Sequence, residues 1–298
     1  MKSNTFLFFG ALISWGLTWI IISETQVNLD VDPFISVAWR FLISSGFVFA
    51  YLLLKKKQIK FVLNLHIFFI ILGLFLYSLN YIFFYFSNVY LISAMPAVVF
   101  CLMSIMNLVG EKFYFEKKIL TKTWLGAVLG ILGIFIIFNK EILNFNFTVK
   151  THLGLFLAFC ATCSASIGNL LSEYNNRKYK IGIFEIMSWS MLYGGLIALV
   201  AGLLNGSSPV IPVTNLKYML GMFYLIIFGS IIAFSFYLTL LKNIGPGRSG
   251  YIAVCMPVFA LIISVIFEGF KPDGFLLFGL PITIAGLILI LKQKSAIK

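Results

Sequence analysis

The side chain in the most unusual position for its chemistry is that of Arg40. It stands in the stretch VDPFISVAWRFLISSGFVFAYLLL, residues 31–54, which is otherwise almost entirely apolar. A guanidinium group keeps its positive charge under ordinary conditions and presents five N–H donors. Inside an apolar helix such a group needs carbonyl oxygens, an anion or water around it.

Other polar and large amphipathic side chains recur in apolar stretches at spacings of three or four residues. This spacing places side chains on one face of a helix. Because polar groups are costly next to lipid, we expect these faces to point towards protein or an internal cavity. For individual Ser and Thr residues the alternative is hydrogen bonding between closely packed helices. The candidate cavity-lining, substrate-binding residues are Trp15, Thr18, Trp19, Tyr77, Asn80, Tyr81, Phe84, Pro96, Ser166, Ser235, Phe236, Thr239 and Tyr251.

The acidic residues and cysteines form no recognisable catalytic or metal-binding motif. None of the ten acidic residues falls in the middle of an apolar stretch, which weakens a mechanism that couples protons through a buried carboxylate. Cys160 and Cys163 form a C-x-x-C pair within an apolar stretch, where we expect them to pack as small apolar residues. We therefore expect no enzymatic activity, no metal site and no cofactor.

The composition indicates that lipid surrounds most of the chain. Of its 298 residues 61% are hydrophobic and 11% are charged, whereas a soluble domain has about 25% charged residues. Apolar runs long enough to cross a bilayer predict an all-α integral membrane protein. The ten predicted transmembrane helices are residues 4–23, 34–54, 66–87, 90–110, 122–139, 151–171, 183–203, 218–241, 247–267 and 275–292.

The Lys and Arg residues of the connectors predict the orientation of the chain. With the N-terminus in the cytoplasm, 17 of these 22 residues lie on the inner side, 4 lie on the outer side, and Arg40 lies within a helix. This distribution follows the positive-inside rule and predicts that both termini are cytoplasmic. The net charge of +12 is spread over short connectors, so we do not expect nucleic-acid binding.

The second half of the sequence repeats the first. GAVLGILGIFII at 126–137 aligns with GLPITIAGLILI at 279–290, and shorter matches, such as Gly46 with Gly195, follow the same order. Because each half holds an odd number of helices, the second half is inverted relative to the first, as in many transporters. The two predicted five-helix repeats, placed around a central cavity, are residues 1–145 and 146–298.

Together these features resemble the drug/metabolite transporter superfamily, specifically the EamA type of ten-helix bacterial permease. The resemblance is carried by SWGLTW at 14–19, DPFISVAWRF at 32–41, the glycine-spaced fifth and tenth helices, and Glu111 and Glu268 near the ends of the fourth and ninth helices. It implies a location in the bacterial inner membrane. It also implies a substrate cavity between helices one, three, four, six, eight and nine.

The resemblance also bears on two prolines and two glutamates. Pro96 and Pro257 lie inside their helices, where each is expected to bend or loosen the backbone. Pro257 fits the family pattern, whereas the matching position of the fourth helix holds Phe100 and the proline lies four residues earlier, so the pocket positions that the resemblance implies for this helix carry over only to within about one helical turn. We interpret Glu111 and Glu268 as structural residues that cap or anchor helix ends.

Three interpretations of Arg40 are open. The residue lies about 10 Å along its helix from the outer end, so we place it in the outer leaflet. It points into the bundle and binds helix-end carbonyls or the acidic first connector, or it meets an anionic group of a substrate, or it extends to the outer headgroups. Alignment of the repeats pairs it with Trp189, so no symmetry-related acid balances its charge.

The resemblance favours a secondary transporter that moves small metabolites, such as amino acids, amines or related compounds, by alternating access. The direction is open, because efflux is common in similar proteins while some take up or exchange a host metabolite such as S-adenosylmethionine. Flipping of a lipid-linked carrier is a further alternative. The expected partners are a small-molecule substrate and the lipid bilayer, and a homodimer is compatible with the sequence.

Overall fold

The architecture of the chain is entirely helical. A computed structural model describes residues 3–91, 94–137, 139–143, 148–267 and 274–291, and these ranges contain no β-strand. The prediction of an all-α protein is confirmed for them. The α-helices in chain order are α1 (Asn4–Gly16), α2 (Thr18–Thr25), α3 (Pro33–Leu54), α4 (Leu63–Gly73), α5 (Asn80–Tyr90), α6 (Ala94–Phe100), α7 (Met103–Tyr114), α8 (Thr121–Ile137), α9 (Asn139–Leu143), α10 (Val149–Lys178), α11 (Ile183–Leu204), α12 (Leu216–Ile226), α13 (Ala233–Ile244), α14 (Pro246–Ser249), α15 (Ile252–Phe267) and α16 (Gly274–Leu291).

Seven helical segments of the described chain are long and apolar enough to cross a membrane. They are Asn4–Leu29, Pro33–Leu54, Leu63–Tyr90, Met95–Tyr114, Val149–Lys178, Ile183–Leu204 and Leu216–Ile244. The three remaining predicted transmembrane helices coincide with the shorter apolar helices α8, α15 and α16. The crossing of the membrane by ten helices in two inverted repeats stays a prediction.

Helix α10 continues well beyond the apolar run that predicted it, from residue 171 to Lys178. The extension is polar, and it is stabilised by an ion pair between Arg177 and Glu173, one helical turn apart at 2.8 Å. Two cations in the last turn also face the negative end of the helix dipole. Apolar length therefore marks the part of a helix that lies in lipid and not its full extent.

Two of the long helical segments contain a π-helical turn. Leu74–Leu79 joins α4 to α5, and Ile227–Ile232 joins α12 to α13. In such a turn the backbone hydrogen bonds span five residues instead of four, which rotates everything that follows and leaves carbonyl groups open to side chains. In the second turn the Ser230 hydroxyl donates to the carbonyl of Leu225 at 2.8 Å.

Helices α8 and α16 pack with their backbones in direct contact. A Cβ atom at Gly126 would lie 2.8 Å from the carbonyl oxygen of Gly286, and one at Gly133 would lie 2.8 Å from that of Gly279. Only a residue without a Cβ atom permits this approach. These four glycines are the ones that align between the two halves of the sequence. Gly126 aligns with Gly279 and contacts Gly286, whereas Gly133 aligns with Gly286 and contacts Gly279.

Helices α3 and α11 form a second extensive contact between the halves of the chain. The Ser45 hydroxyl donates to the carbonyl of Ser188 at 2.8 Å, and a Cβ atom at Gly195 would lie 3.1 Å from the carbonyl oxygen of Ala38. Small residues thus let these helices approach closely, as in other membrane proteins. The helices that surround the centre of the molecule are α1, α2, α5, α6, α7, α10, α13 and α15.

Candidate functional site

A cavity of about 60 Å³ lies between helices of both halves of the chain. This volume holds a few water molecules and is smaller than the pockets that bind drug-sized ligands. The structure brings six of the predicted candidates together on its wall. These are Trp15, Thr18, Trp19, Asn80, Tyr81 and Phe84.

Residues outside the predicted set complete the wall, and most of them are apolar. A search for polar groups in apolar helices cannot find such residues, because nothing distinguishes them from residues that face lipid. Asn169 is the exception, since its spacing of three residues from Ser166 places both towards one side of α10. The residues concerned are Ile22, Leu76, Phe100, Met103, Ala165, Asn169, Phe234, Tyr237 and Met256.

Aromatic rings form two clusters on the cavity wall. In the first, the ring centre of Phe84 lies 4.8 Å from that of Trp19 and 5.0 Å from that of Phe100, both edge to face. In the second, the indole of Trp15 lies 5.1 Å from Phe234 and 5.0 Å from Tyr237. Edge-to-face packing fixes the rings and gives a small, rigid, largely apolar pocket.

Two amide side chains supply polar atoms to this wall. The side-chain oxygens of Asn80 and Asn169 are buried and accept no hydrogen bond from the protein, although Asn169 Nδ2 lies 3.3 Å from the sulfur of Met103. A buried acceptor without a partner is costly unless water or a ligand donates to it. Two residues of the wall thus carry a buried acceptor without a partner, and none of the residues described on the wall is acidic or basic.

Arg40 points into the helix bundle and not towards the headgroups. Its side chain is fully buried, with Nε donating to the Ser230 hydroxyl at 2.9 Å and Nη2 donating to the Gly229 carbonyl at 3.0 Å. The guanidinium also lies over the ring of Tyr81, 4.5 Å from its centre. Snorkelling is thus excluded, and the carbonyl that Arg40 binds belongs to a π-helical turn instead of a helix end.

The Gly229 carbonyl connects Arg40 to the cavity wall. Trp15 Nε1 donates to the same oxygen at 3.0 Å, so an indole of the wall and the guanidinium behind it converge on one atom. A Cβ atom at Gly229 would lie 3.2 Å from Arg40 Nη2 and 3.4 Å from Thr18 Oγ1. Arg40 therefore lies one residue layer behind Trp15, Thr18 and Tyr81.

The acidic first connector has other partners than Arg40. Asp32 caps α3 by accepting from the backbone N–H of Phe34 at 2.8 Å, and it accepts from the Ser207 hydroxyl at 2.7 Å. Glu24 pairs with Lys217 at 2.9 Å. The Asp32 contact joins the connectors that precede α3 and follow α11, the Glu24 pair joins α2 to α12, and neither contact involves Arg40.

The whole chain matches one known protein family. The sequence profile of the EamA-like transporter family covers residues 3–139 and 152–292. The chain belongs to this family. The resemblance drawn from the sequence is confirmed, and the protein is a multi-pass membrane protein of a transporter family.

Individual relatives agree with this assignment. A Buchnera aphidicola subsp. Schlechtendalia chinensis protein, named an uncharacterized transporter in the trpA 3′ region, is 28% identical over 260 residues, 87% of this chain and 83% of its own length. The Escherichia coli K12 protein named the uncharacterized inner membrane transporter YedA is 26% identical over 266 residues, 86% and 81% of the two chains. A crystal structure with 19% identity superimposes at a TM-score of 0.78 over 97% of this chain and 96% of its own, which shows the fold.

Two predicted tyrosines lie away from the cavity. Tyr77 is fully buried behind the wall, with its ring centre 5.3 Å from Phe41 and 4.8 Å from Phe234. Tyr251 reaches between α8 and α16, where its hydroxyl donates to the Thr283 carbonyl at 2.9 Å. Both residues pack helices together in this conformation.

The predicted face of α13 is not the one that meets the cavity. The Ser235 and Thr239 hydroxyls donate to carbonyls of their own helical segment, those of Ile232 at 2.8 Å and Ser235 at 2.6 Å. Phe236 packs edge to face on Phe6 at 5.5 Å. Phe234 and Tyr237 of the same helix face the cavity instead, since hydroxyls that are satisfied within their own helix need no polar surroundings.

The remaining candidates of α6 and α10 lie close to the cavity without lining it. Ser166 donates to the side-chain oxygen of Asn107 at 2.7 Å. Pro96 is buried in α6, and Phe100, one helical turn later, reaches the wall in its place. Four residues, about one helical turn, separate these two positions.

Glu111 makes the contacts expected of a structural residue. Its buried carboxylate pairs with Lys117 and fills the space left by the missing side chains of Gly245 and Gly247. Pro257 lies within α15, and this helix continues through it. Glu268 lies outside the described residues.

Proposed function

We propose that the protein is a secondary transporter that carries small metabolites across the bacterial inner membrane by alternating access. The observation that carries this proposal is the central cavity, to which α1, α2 and α5 of the first half and α10, α13 and α15 of the second half contribute. A site between two halves becomes accessible from either side when one half rocks against the other.

The positions of the π-helical turns support ten helices in two inverted repeats. The turns begin at residues 74 and 227, a separation of 153 residues that also relates Gly126 to Gly279. Side chains of the other half bind carbonyls in both turns. Ser164 donates to the Phe75 carbonyl at 2.8 Å, as Trp15 does to that of Gly229.

Two tryptophans add a reciprocal pair of contacts. Trp39 Nε1 donates to the Pro209 carbonyl at 2.9 Å, and Trp189 Nε1 donates to the Ile59 carbonyl at 3.0 Å. Both the donors and the acceptors are 150 residues apart. Such exchange of equivalent contacts is what a two-fold relation between the halves produces.

The separation of 150 residues between the two tryptophan contacts shifts the alignment of α3 with α11 by one residue. Pairing Gly46 with Gly195 implies 149 residues and matches Arg40 to Trp189, whereas the tryptophan contacts match Arg40 to Ser190. The conclusion that no acid balances Arg40 from the other half is unchanged.

The contacts between α7 and the segment around α14 are suited to close the cavity at one end. Asn107 Nδ2 donates to the Pro246 carbonyl at 3.0 Å, and Ser166 holds the other end of the same amide. The Glu111–Lys117 pair packs against Gly245 in the same region. In the predicted orientation this is the cytoplasmic closure, which separates when the cavity opens inwards.

Solute flux into proteoliposomes tests the proposal. The solutes are amino acids, amines and S-adenosylmethionine, and we expect saturable exchange of at least one of them. Phe84→Ala removes a ring from the cavity wall and lowers this flux by at least about tenfold, since rigid rings define the pocket. Phe156→Ala is the matched control, because the Phe156 side chain is 62% exposed on the outside of the bundle.

Either of two results contradicts the proposal. One is the absence of flux of every solute in wild-type proteoliposomes that contain folded protein. The other is an equal flux in the Phe84→Ala and Phe156→Ala variants, since transport would then not pass the cavity.

A further inference from the structure

Arg40 carries a full positive charge that no carboxylate neutralises within the described part of the chain. Its described contacts are all uncharged: the Ser230 hydroxyl, the Gly229 carbonyl, the rings of Phe41 and Tyr81, and the hydroxyls of Tyr81 and Tyr85. Hydrogen bonds to uncharged groups and contacts with aromatic rings stabilise such a charge without neutralising it. A buried charge that is not cancelled leaves a positive potential in its surroundings.

This potential acts on the cavity because only one layer of residues separates the two. The ring of Tyr81 has the guanidinium on one side and belongs to the cavity wall, while Trp15 shares the Gly229 carbonyl with Arg40. At a separation of about 8 Å and an effective dielectric constant of about 20, a unit charge changes a binding constant by roughly 30-fold.

The wall provides no opposing charge among its described residues. The side-chain oxygens of Asn80 and Asn169 on this wall have no hydrogen-bond partner within the protein, and both are uncharged. Uncharged groups such as these do not select a ligand by its net charge.

We propose that Arg40 makes this cavity selective for charge, so that it binds molecules with a small apolar body and a carboxylate and disfavours the corresponding amines. The proposal rests on the proposed function, because it names the substrate class of the same cavity. It makes Arg40 a specificity residue that acts through the wall, in addition to its role in joining α3 to the π-helical turn.

Three ligands with one phenylethyl body and different charges test this proposal. They are 3-phenylpropionate, phenylalanine and 2-phenylethylamine, whose binding to purified wild-type, Arg40→Gln and Arg40→Lys protein is measured at pH 7 by ligand-induced thermal stabilisation. We expect the wild type to bind the carboxylate at least tenfold more tightly than the amine, with the zwitterion between them. The ratio of the affinity for the carboxylate to that for the amine falls towards one in the Arg40→Gln variant and is unchanged in the Arg40→Lys variant.

Equal or tighter binding of the amine by the wild type overturns the proposal, and this result does not depend on the folding of any variant. An unchanged ratio in folded Arg40→Gln protein also overturns it. If none of the three ligands binds while the proteoliposomes transport another solute, the charge proposal fails and the transporter proposal stands. If in addition no solute is transported, both fail.

Discussion

Gly245 is a position at which backbone conformation and a buried charge pair depend on one another. Its φ of 85° and ψ of 162° lie in a region that residues with a Cβ atom rarely adopt. The space beside its Cα atom is filled by the Glu111 carboxylate and the Lys117 ammonium. The glycine therefore allows both the turn that precedes α14 and the close approach of α7.

We expect Gly245→Ala to destabilise the protein more than Gly206→Ala does. Both glycines have a positive φ, 85° and 84°, so each substitution strains the backbone by about 1–3 kcal/mol. Gly206 has no atom within 4 Å of the added Cβ position, whereas at Gly245 the methyl group collides with Glu111 and Lys117. The excess loss is about 1–3 kcal/mol.

Apparent unfolding midpoints in detergent, measured by intrinsic fluorescence, give the comparison. For a chain of this size the excess corresponds to several degrees. The double variant Gly245→Ala with Glu111→Ala recovers part of the loss, since it removes one of the colliding groups. Equal midpoints for the two single variants would show that the packing against Glu111 contributes nothing.

Side-chain polarity decides how much of the cavity could be predicted from the sequence. Asn80, Tyr81 and Phe84 carry polar or large amphipathic side chains at the spacing of a regular helix, and all three line the cavity. On α13 the same reasoning favours the face of Ser235 and Thr239, but their hydroxyls bind carbonyls of their own helical segment, and Phe234 and Tyr237 line the cavity instead. A hydroxyl that is satisfied within its own helix needs no polar surroundings, so small polar residues do not identify the inward face of a helix.

The glycine contact between α8 and α16 is a case in which the sequence was informative. The glycines of the two helices align between the halves of the sequence and recur at intervals of seven residues, and in the structure they lie where the two backbones are in direct contact. Which helix would be the partner could not be predicted, because spacing along one helix does not specify what packs against it.

We expect Gly→Ala substitutions at two positions within helices to change the stability of the protein in opposite directions. At Gly133 the added methyl group would lie 2.8 Å from the Gly279 carbonyl oxygen, a backbone atom that cannot move without separating α8 from α16. Gly46 lies on an exposed face of α3 with nothing within 4 Å, so Ala there gains helix propensity, about 0.5–1 kcal/mol.

Gly133→Ala should therefore lower the unfolding midpoint by several degrees, and Gly46→Ala should leave it unchanged or raise it slightly. Thermal unfolding of the two variants under identical detergent conditions measures both. A stabilising Gly133→Ala would mean that α8 and α16 are not in backbone contact.

The sequence predicts the class of the fold better than it predicts the arrangement of the helices. Apolar runs identify where helices lie because lipid demands them, and each predicted run coincides with helix in the described chain. The polar extension of α10 and the interruption of the first helix at Leu17 were missed, because neither has a hydropathy signal. Cavity size was also beyond reach, since it depends on which conformation the molecule adopts.

The orientation of the whole molecule gives the last prediction. The uneven distribution of Lys and Arg places the connector after α3 in the cytoplasm and the connector after α11 outside. Gln58 and Ser208 are exposed residues in these two connectors. In a background without the four native cysteines, a membrane-impermeant maleimide applied to intact spheroplasts should label Ser208→Cys and not Gln58→Cys, with both labelled after permeabilisation. The reverse labelling pattern would show that the molecule has the opposite orientation in the membrane. The closure around Asn107 and Pro246 would then lie on the outer side.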